Sequence, residues 1–302
     1  MDEHQQVAVN PNTAEMPEDV EADECLTNYS YVYSPDLLKD RVAFVTGGGS
    51  GIGFRTAEVL MRHGCDTVIA SRNQERLSEA ARKLSAATGR HCLPLSLDVR
   101  QPETIAAAVD ETLKELGRID ILVNNAAGNF LCPAASLSFN AFKTVMEIDT
   151  MGTFNTSKVV YDRWLKVRGP EIPKSFRVSC LSTDDHMTKM SDCWAKICTD
   201  EAGNQEVLIK HLALVPANMN YPEVGASLCG TAAQSSGVFQ TVPLQRAGSK
   251  TEIAHGVLYL ASRAASYVTG ASLVVDGGSW LTSANSMPAL LETWSSGAKQ
   301  EK

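Results

Sequence analysis

The chain has 302 residues, 44% of them hydrophobic and 21% charged, which is the composition of an ordinary globular protein with room for one α/β domain. No run of eighteen or more apolar residues occurs, so the sequence predicts no membrane span, and its N-terminus is neither a secretory signal nor an Arg-rich transit peptide. Residues 1–40 hold ten acids and one lysine, a charge of −9 against −8 for the whole chain, so the body is nearly neutral and does not suggest nucleic-acid binding. We predict that residues 1–30 form a solvated, largely disordered acidic tail.

Short apolar runs alternate with helical patterns from residue 41 onward. Pro102 and Gly117 stand where a helix would begin and end, which is the usual placement of these residue types. The alternation predicts a Rossmann-like, doubly wound parallel sheet covered on both faces, as a single α/β domain over residues 31–282. In chain order the predicted elements are strand 41–46, helix 51–64, strand 66–71, helix 73–89, strand 92–99, helix 101–117, strand 119–128 and a long helix 138–166.

The periodicity weakens near residue 167 and returns near residue 251. Between these points the sequence suggests only a fifth strand at 174–182 and a weak helical patch at 206–214. Residues 251–262 then predict an amphipathic helix, and residues 267–278 predict a strand between glycine turns. Residues 283–302 are interpreted as a C-terminal tail.

The eight cysteines contain no CxxC pair, which favours reduced thiols in an intracellular compartment. A zinc site would need a recognisable spacing of ligands. His186, Cys193, Cys198 and His211 match no common zinc-finger or ribbon spacing, so we predict no metal site.

The stretch VTGGGSGIG, residues 45–53, joins the first strand to the first helix. Glycines at such a junction let the backbone turn sharply and approach a ligand, and the free N–H groups of the helix favour a pyrophosphate. The alternative is a tight turn without a ligand. The candidate cofactor-binding residues here are Gly47, Gly48, Gly49, Ser50, Gly51 and Ile52.

The second strand ends in Ser71 and Arg72, where an NAD site would usually carry an acidic residue. Because an arginine can bind a 2′-phosphate, Arg72 indicates NADP(H). The alternative is that Arg72 is a solvated charge at the end of a strand. Asp98 closes the third strand and is placed either to contact the adenine or to cap the following helix.

Four motifs in this order resemble the short-chain dehydrogenase/reductase superfamily: TGGGSGIG at 46–53, LDV at 97–99, NNAAG at 124–128 and YVTGASLVVDGG at 267–278. Three longer stretches are similar to the family of peroxisomal 2,4-dienoyl-CoA reductases, and they lie at 36–72, 126–155 and 243–262. The resemblance implies NADPH-dependent reduction of a 2,4-dienoyl-CoA to a 3-enoyl-CoA in fatty-acid β-oxidation, by a homo-oligomer. In that reaction hydride adds to the far end of the diene, electrons reach the thioester oxygen, and a proton is delivered to the α-carbon.

The resemblance also implies roles for individual residues. The glycine loop, Arg72 and Asp98 correspond to cofactor contacts. Asp149 stands where most of the superfamily has an asparagine that holds a proton-relay water, and a buried carboxyl there favours a proton donor, whereas Glu147, two residues earlier, should face elsewhere. The implied acyl-CoA path comprises Arg72, Arg100, Phe130, Ser138, Phe139 and Asn140.

The usual catalytic pair Tyr-x-x-x-Lys is absent, because no tyrosine of the chain has a lysine four residues later. The resembling reductases also lack the tyrosine and keep a lysine in a Ser-Ala-Lys context. Here the nearest match is Trp194-Ala195-Lys196, so Lys196 is the candidate for both catalysis and the nicotinamide ribose, and an exposed lysine is its alternative.

Residues 167–236 depart from the family pattern, which suggests an altered reading frame or alternative exon.

The sequence leaves three candidate functions: the reductase, a catalytically impaired NADP(H)-binding scaffold or subunit, and a carbonyl-reducing relative that would need the missing tyrosine. The resemblance implies a peroxisomal location, but the chain ends in SSGAKQEK rather than in a peroxisomal tripeptide, which leaves a cytosolic location open.

Overall fold

The computed structural model describes residues 18–20, 22–128, 136–167, 176–182, 208–213, 243–244, 246, 248–271 and 273–278. Within these residues six parallel strands form one sheet in the order β3-β2-β1-β4-β5-β6. This is the strand order of a Rossmann fold: β2 and β3 are added on one side of β1, and β4, β5 and β6 are added on the other. The predicted fold class is therefore confirmed.

The first half of the sheet follows the predicted sequence of elements closely. Helix α3 begins with Pro102 and ends before Gly117, whose φ of 74° gives the left-handed turn expected at a helix end. The elements are β1 Val42–Thr46, α1 Gly51–Arg62, β2 Asp66–Ser71, α2 Gln74–Thr88, β3 Cys92–Ser96, α3 Pro102–Leu116 and β4 Ile121–Asn124.

Alternate residues of each central strand pack on opposite faces of the sheet. In β1, Ala43 and Val45 join a core cluster with α1 and with the helix Lys250–Ala261. Val42 and Phe44 join a second cluster with α3. All four side chains are buried, so helices cover both faces of the strand. This double cover explains why the strand is an uninterrupted apolar run.

The predicted long helix is present from Phe139 to Leu165, but its hydrogen bonding changes along its length. Two stretches have the wider π-helical pattern, and such insertions often lie at functional sites. The segments are α4 Phe139–Val145, π-helical Met146–Met151, α5 Gly152–Val160 and π-helical Tyr161–Leu165. Asp149 lies within the first π-helical stretch.

The second half corrects two sequence predictions. β5, Arg177–Ser182, is the predicted fifth strand, and α6, Lys250–Ala261, is the predicted amphipathic helix. The patch at 206–214 was wrongly predicted as helix, because Leu208–Ala213 forms β6 parallel to β5. The strand predicted at 267–278 is not formed by the described residues there, although Leu273 and Val275 still pack on the cluster beneath α6.

The predicted disordered tail is too long at its inner end. Residues 1–17 and 21 lie outside the described part, but Leu26 is buried and its N–H donates to Glu58 of α1 at 2.8 Å. Arg62 of α1 also donates to the Leu26 carbonyl at 2.7 Å. The acids in this stretch therefore meet basic side chains of the domain, which a count of net charge does not reveal. Among the described residues no helix is long and apolar enough to cross a membrane.

Candidate cofactor and active site

The glycine loop between β1 and α1 depends on backbone that only glycine accommodates well. Gly47 and Gly51 have φ of +66° and +56°, in the left-handed region that other residues rarely adopt. A Cβ at Gly53 would overlap the Gly47 carbonyl oxygen and the Asn125 side-chain nitrogen. The loop is therefore folded tightly against the end of β4.

Thr46 and Asn125 fix this loop to the neighbouring strand. The Asn125 side-chain amide donates to the carbonyls of Thr46 at 3.0 Å and Gly47 at 3.2 Å. The backbone N–H groups of Asn125 and Ala126 both donate to the Thr46 hydroxyl, each at 3.0 Å. The motif NNAAG thus supports the glycine loop. The sequence analysis named this motif but did not identify its supporting role.

A cavity of about 990 Å³ opens at the carboxyl ends of β1, β2 and β4. A crevice at this edge of the sheet is the usual ligand site of such folds, and the volume is enough for a dinucleotide. Its lining includes residues of the glycine loop, the end of β2, the start of α2 and the end of β3, among them Gly47, Gly49, Ser50, Ile52, Arg72, Arg76, Asp98 and Asn125. Six of the predicted cofactor residues, Gly47, Gly49, Ser50, Ile52, Arg72 and Asp98, therefore line one space, whereas Gly48 and Gly51 are not part of this lining.

Two arginines contribute positive charge to the lining. Arg72 follows β2 and is exposed, as predicted. Arg76 lies in the first turn of α2 and was missed by the sequence analysis. A signal was present, because a cation in the first turn of a helix is unfavourable for the helix dipole and therefore suggests an anionic partner.

Asp98 is held by Arg100 two residues later. The Arg100 side chain donates to both Asp98 carboxylate oxygens, at 3.0 and 3.1 Å, and the Arg100 N–H donates at 3.0 Å. These hydrogen bonds lower the pKa of Asp98. The alternative in which Asp98 caps α3 is wrong, because the residue before that helix is Gln101 and the Asp98 carboxylate is occupied by Arg100.

Asp149 lies in contrasting surroundings. Its carboxylate accepts the Gly128 N–H at 2.8 Å, and the preceding residue, Ile148, lines the cavity. Burial raises the pKa of Asp149 to about 6, with the Gly128 hydrogen bond acting in the opposite direction. A carboxyl with this pKa is protonated in a useful fraction near neutrality and can act as an acid.

Glu147 faces a different direction from Asp149, as its spacing predicts. Its carboxylate lies 3.6 Å from the Lys143 ammonium, and its charge acts on Arg100. The π-helical stretch therefore presents one carboxyl to the Gly128 N–H and the other to basic side chains.

The residues predicted along the acyl-CoA path are placed only in part. The Ser138 hydroxyl accepts the Ala141 N–H at 3.1 Å and so caps α4. Phe139 is 97% exposed and Asn140 is also exposed. Phe130 and Lys196 lie outside the described residues.

Comparisons with known proteins agree with this geometry. The family model described as short chain dehydrogenase matches residues 41–172, and the model described as Enoyl-(Acyl carrier protein) reductase matches residues 214–279. These two matches leave residues 173–213 between them.

Among curated relatives, the chain is 61% identical over 282 residues to a peroxisomal 2,4-dienoyl-CoA reductase of Danio rerio, covering 91% of this chain and 93% of that protein. The corresponding Rattus norvegicus protein is 53% identical over 291 residues, covering 94% and 99%. A gluconate 5-dehydrogenase from Burkholderia cenocepacia, solved in complex with NADP and tartrate, is 25% identical with a TM-score of 0.71, covering 82% of this chain and 98% of that one. The chain therefore belongs to the short-chain dehydrogenase/reductase superfamily and, within it, to the family of peroxisomal 2,4-dienoyl-CoA reductases.

Proposed function

We propose that this protein is an NADPH-dependent 2,4-dienoyl-CoA reductase that forms a 3-enoyl-CoA. The observation that carries the proposal is the half-buried Asp149, whose carboxylate accepts the Gly128 N–H at 2.8 Å and which follows Ile148 of the cavity lining. Burial raises the pKa of Asp149 to about 6, which suits a proton donor. The relatives that are 50–61% identical to this chain bear the name of this activity. A carbonyl reductase of the same superfamily would need the tyrosine of a Tyr-x-x-x-Lys pair, which the sequence lacks.

The glycine loop fits a nicotinamide dinucleotide, because Gly47, Gly49 and Ser50 line the cavity just before α1, where backbone N–H groups favour a pyrophosphate. When bound, this cofactor supplies the hydride. The chain's own residues hold the phosphates at the loop, and Asp149 holds a proton at its carboxyl oxygen for the substrate α-carbon. Gly128 fixes the orientation of that carboxyl.

The preference for NADPH over NADH is supported by the end of β2. Arg72 replaces the acidic residue that would accept a ribose hydroxyl, and Arg76 adds a second guanidinium to the same cavity. Asp98 lines the cavity too, and its position supports the proposed contact with the adenine.

The acyl-CoA substrate is supported by the family and by Arg100. This guanidinium is 34% exposed and bonded on one side to Asp98, so its remaining donors are available to a CoA phosphate. Ser138, Phe139 and Asn140 are proposed on resemblance to line the acyl path, with Phe139 offering an exposed ring. Phe130 and Lys196 remain predictions, because they lie outside the described residues.

The second candidate function is a cofactor-binding subunit without turnover. It is favoured by the break between the two family matches, at residues 173–213, within the stretch that the sequence analysis found to depart from the family. Lys196 falls in that stretch, so an altered segment would remove the group proposed to hold the nicotinamide ribose.

One assay separates the two candidates. Purified protein is mixed with NADPH and a 2,4-dienoyl-CoA, the loss of cofactor absorbance is followed, and the product is identified by mass spectrometry. Formation of a 3-enoyl-CoA supports the reductase. Calorimetric binding of NADPH without turnover contradicts it and favours the impaired subunit.

We also propose a peroxisomal location, which rests on the names of the relatives. Imaging of a chain with a fluorescent protein at its N-terminus, beside a peroxisomal marker, tests this; a diffuse signal would support a cytosolic location instead. The predicted homo-oligomer is testable by light scattering of the purified protein.

A further inference from the structure

The segment before β1 is bonded to three helices, of which α1 and α2 contribute residues to the lining of the cavity. We call residues 18–20 and 22–26 the N-terminal strap. Asp19 accepts the Lys250 N–H at the start of α6, and the Arg55 side chain of α1 lies 3.4 Å from the same carboxylate. Glu24 pairs with Lys83 of α2 at 2.6 Å. The strap therefore lies across α1, α2 and α6.

Asp23 is the strap residue that reaches the cofactor region. One oxygen of its carboxylate accepts the Gly51 N–H at 2.6 Å, and the other accepts the Arg76 guanidinium at 2.6 Å. Ser50, which directly precedes α1, makes no capping bond with its side chain, so the Asp23 carboxylate takes that position. An anion of the chain itself thus occupies two donors of the kind that bind a phosphorylated dinucleotide.

We propose that Asp23 lowers the affinity for NADPH, and with it the preference for NADPH over NADH, by pairing with Arg76 until the 2′-phosphate of the cofactor displaces the Asp23 carboxylate. This inference rests on the proposed function, since it assumes that the cavity is the cofactor site. Arg76 lines that cavity together with Arg72. The Asp23–Arg76 pair opens when the phosphorylated cofactor binds, and the negative charge of Asp23 opposes binding until it does.

The charge distribution in the strap supports a specific role for this one carboxylate. Asp23 and Glu24 are neighbours, yet Glu24 pairs with Lys83, which does not line the cavity, and Asp23 pairs with Arg76, which does. The Asp23 side chain is 29% exposed, so water screens the pair in part and the expected effect is moderate.

Asp23→Asn tests the proposal by calorimetric titration with NADPH and with NADH. The asparagine oxygen still accepts the Gly51 N–H, so the fold is preserved while the charge is removed. We expect NADPH to bind roughly tenfold more tightly, the equivalent of one charge-assisted hydrogen bond, and NADH to change by less than about threefold because it has no 2′-phosphate for Arg76. Glu24→Gln is the matched control, with the same charge change in the same segment, and its affinities should stay within about twofold of the wild type.

A second pair of variants tests whether Asp23 acts through Arg76. The gain from Asp23→Asn should disappear in an Arg76→Gln background, as a double-mutant cycle measures. An undiminished gain in that background, or equal NADPH affinity of Asp23→Asn and the wild type, overturns the inference and leaves the cofactor assignment intact. If neither chain binds NADP(H), the proposed function is overturned together with it.

Discussion

Two aspartates, Asp98 in the cavity lining after β3 and Asp149 next to the lining residue Ile148, differ in what surrounds the carboxyl. Asp98 is gripped by Arg100, and its pKa is lowered. Asp149 is half-buried with a backbone N–H as its hydrogen-bond donor, no described cation offsets its burial, and its pKa is raised to about 6. Environment, rather than residue type, therefore separates the two carboxyls. We call the surroundings of Asp98 and the glycine loop the cofactor region, and the surroundings of Asp149, the proposed proton donor, the reaction region.

Asp149→Asn should impair turnover and leave the binding of the cofactor unchanged. Removing a general acid is expected to lower kcat by roughly 10²–10⁴-fold, while NADPH affinity stays constant. The measurement is steady-state turnover of a 2,4-dienoyl-CoA beside calorimetry with NADPH. Glu147→Gln is the matched control on the same helical stretch, because Glu147 faces Lys143 instead; a wild-type rate in Asp149→Asn would remove the acid from the mechanism.

Arg72→Asp should break the cofactor region. Replacing a cation by an acid is expected to weaken NADPH by roughly 10–100-fold and to affect NADH far less, because only NADPH carries the 2′-phosphate. Arg82→Asp provides the same charge change on an exposed position of α2 that does not line the cavity. Equal losses for the two cofactors would contradict the NADP(H) assignment.

Gly53→Ala tests the backbone fit of the cofactor region. The added methyl group overlaps the Gly47 carbonyl and the Asn125 amide, so we expect a loss of about 1–3 kcal/mol in unfolding free energy together with weaker NADPH binding. Gly89→Ala is a useful contrast, because Gly89 has a φ of 69° but open space around its Cβ position. That variant should lose about 1–2 kcal/mol, because alanine is strained at a positive φ, and should bind NADPH normally. Normal binding by Gly53→Ala would show that the loop can move aside.

The sequence predicted the cofactor region better than the reaction region, for physical reasons. Pro102 and Gly117 specify the ends of α3 locally, and the glycine loop encodes its own backbone turn. A π-helical stretch is different, since no local residue pattern in the sequence marked it. The close packing of Gly152, where a Cβ would lie 2.6 Å from Val99, likewise depends on distant contacts. The raised pKa of Asp149 was anticipated only through the family resemblance.

Other features depended on contacts between distant segments. Leu208–Ala213 is too short an apolar run for its period to distinguish strand from helix, and its pairing with β5 decides the outcome. The Asp98–Arg100 pair requires the turn after β3, and the Asp23–Arg76 pair joins residues 53 positions apart. Residue types can suggest such pairs, but only the fold brings them together.

The smallest expected effect concerns stability against pH, and it distinguishes the two aspartates by sign. Because the folded pKa of Asp149 exceeds its unfolded value, the native state binds the proton more tightly, and stability falls as pH rises from about 4 to about 6. Asp149→Asn should therefore be more stable than the wild type by about 1 kcal/mol at pH 7.5, after allowance for partial exposure, and by nearly nothing at pH 4. Asp98→Asn should behave oppositely. Because the folded pKa of Asp98 is lowered, its carboxylate stabilises the native state at a pH above its unfolded pKa, and this stabilisation is lost as the pH falls below that pKa. The variant should therefore be less stable than the wild type at neutral pH and similar to it in acid. Urea unfolding of both variants from about pH 2.5 to about pH 7.5 measures the difference, because the stabilisation by Asp98 is lost only below about pH 4. Parallel curves for the two would mean that their surroundings are alike.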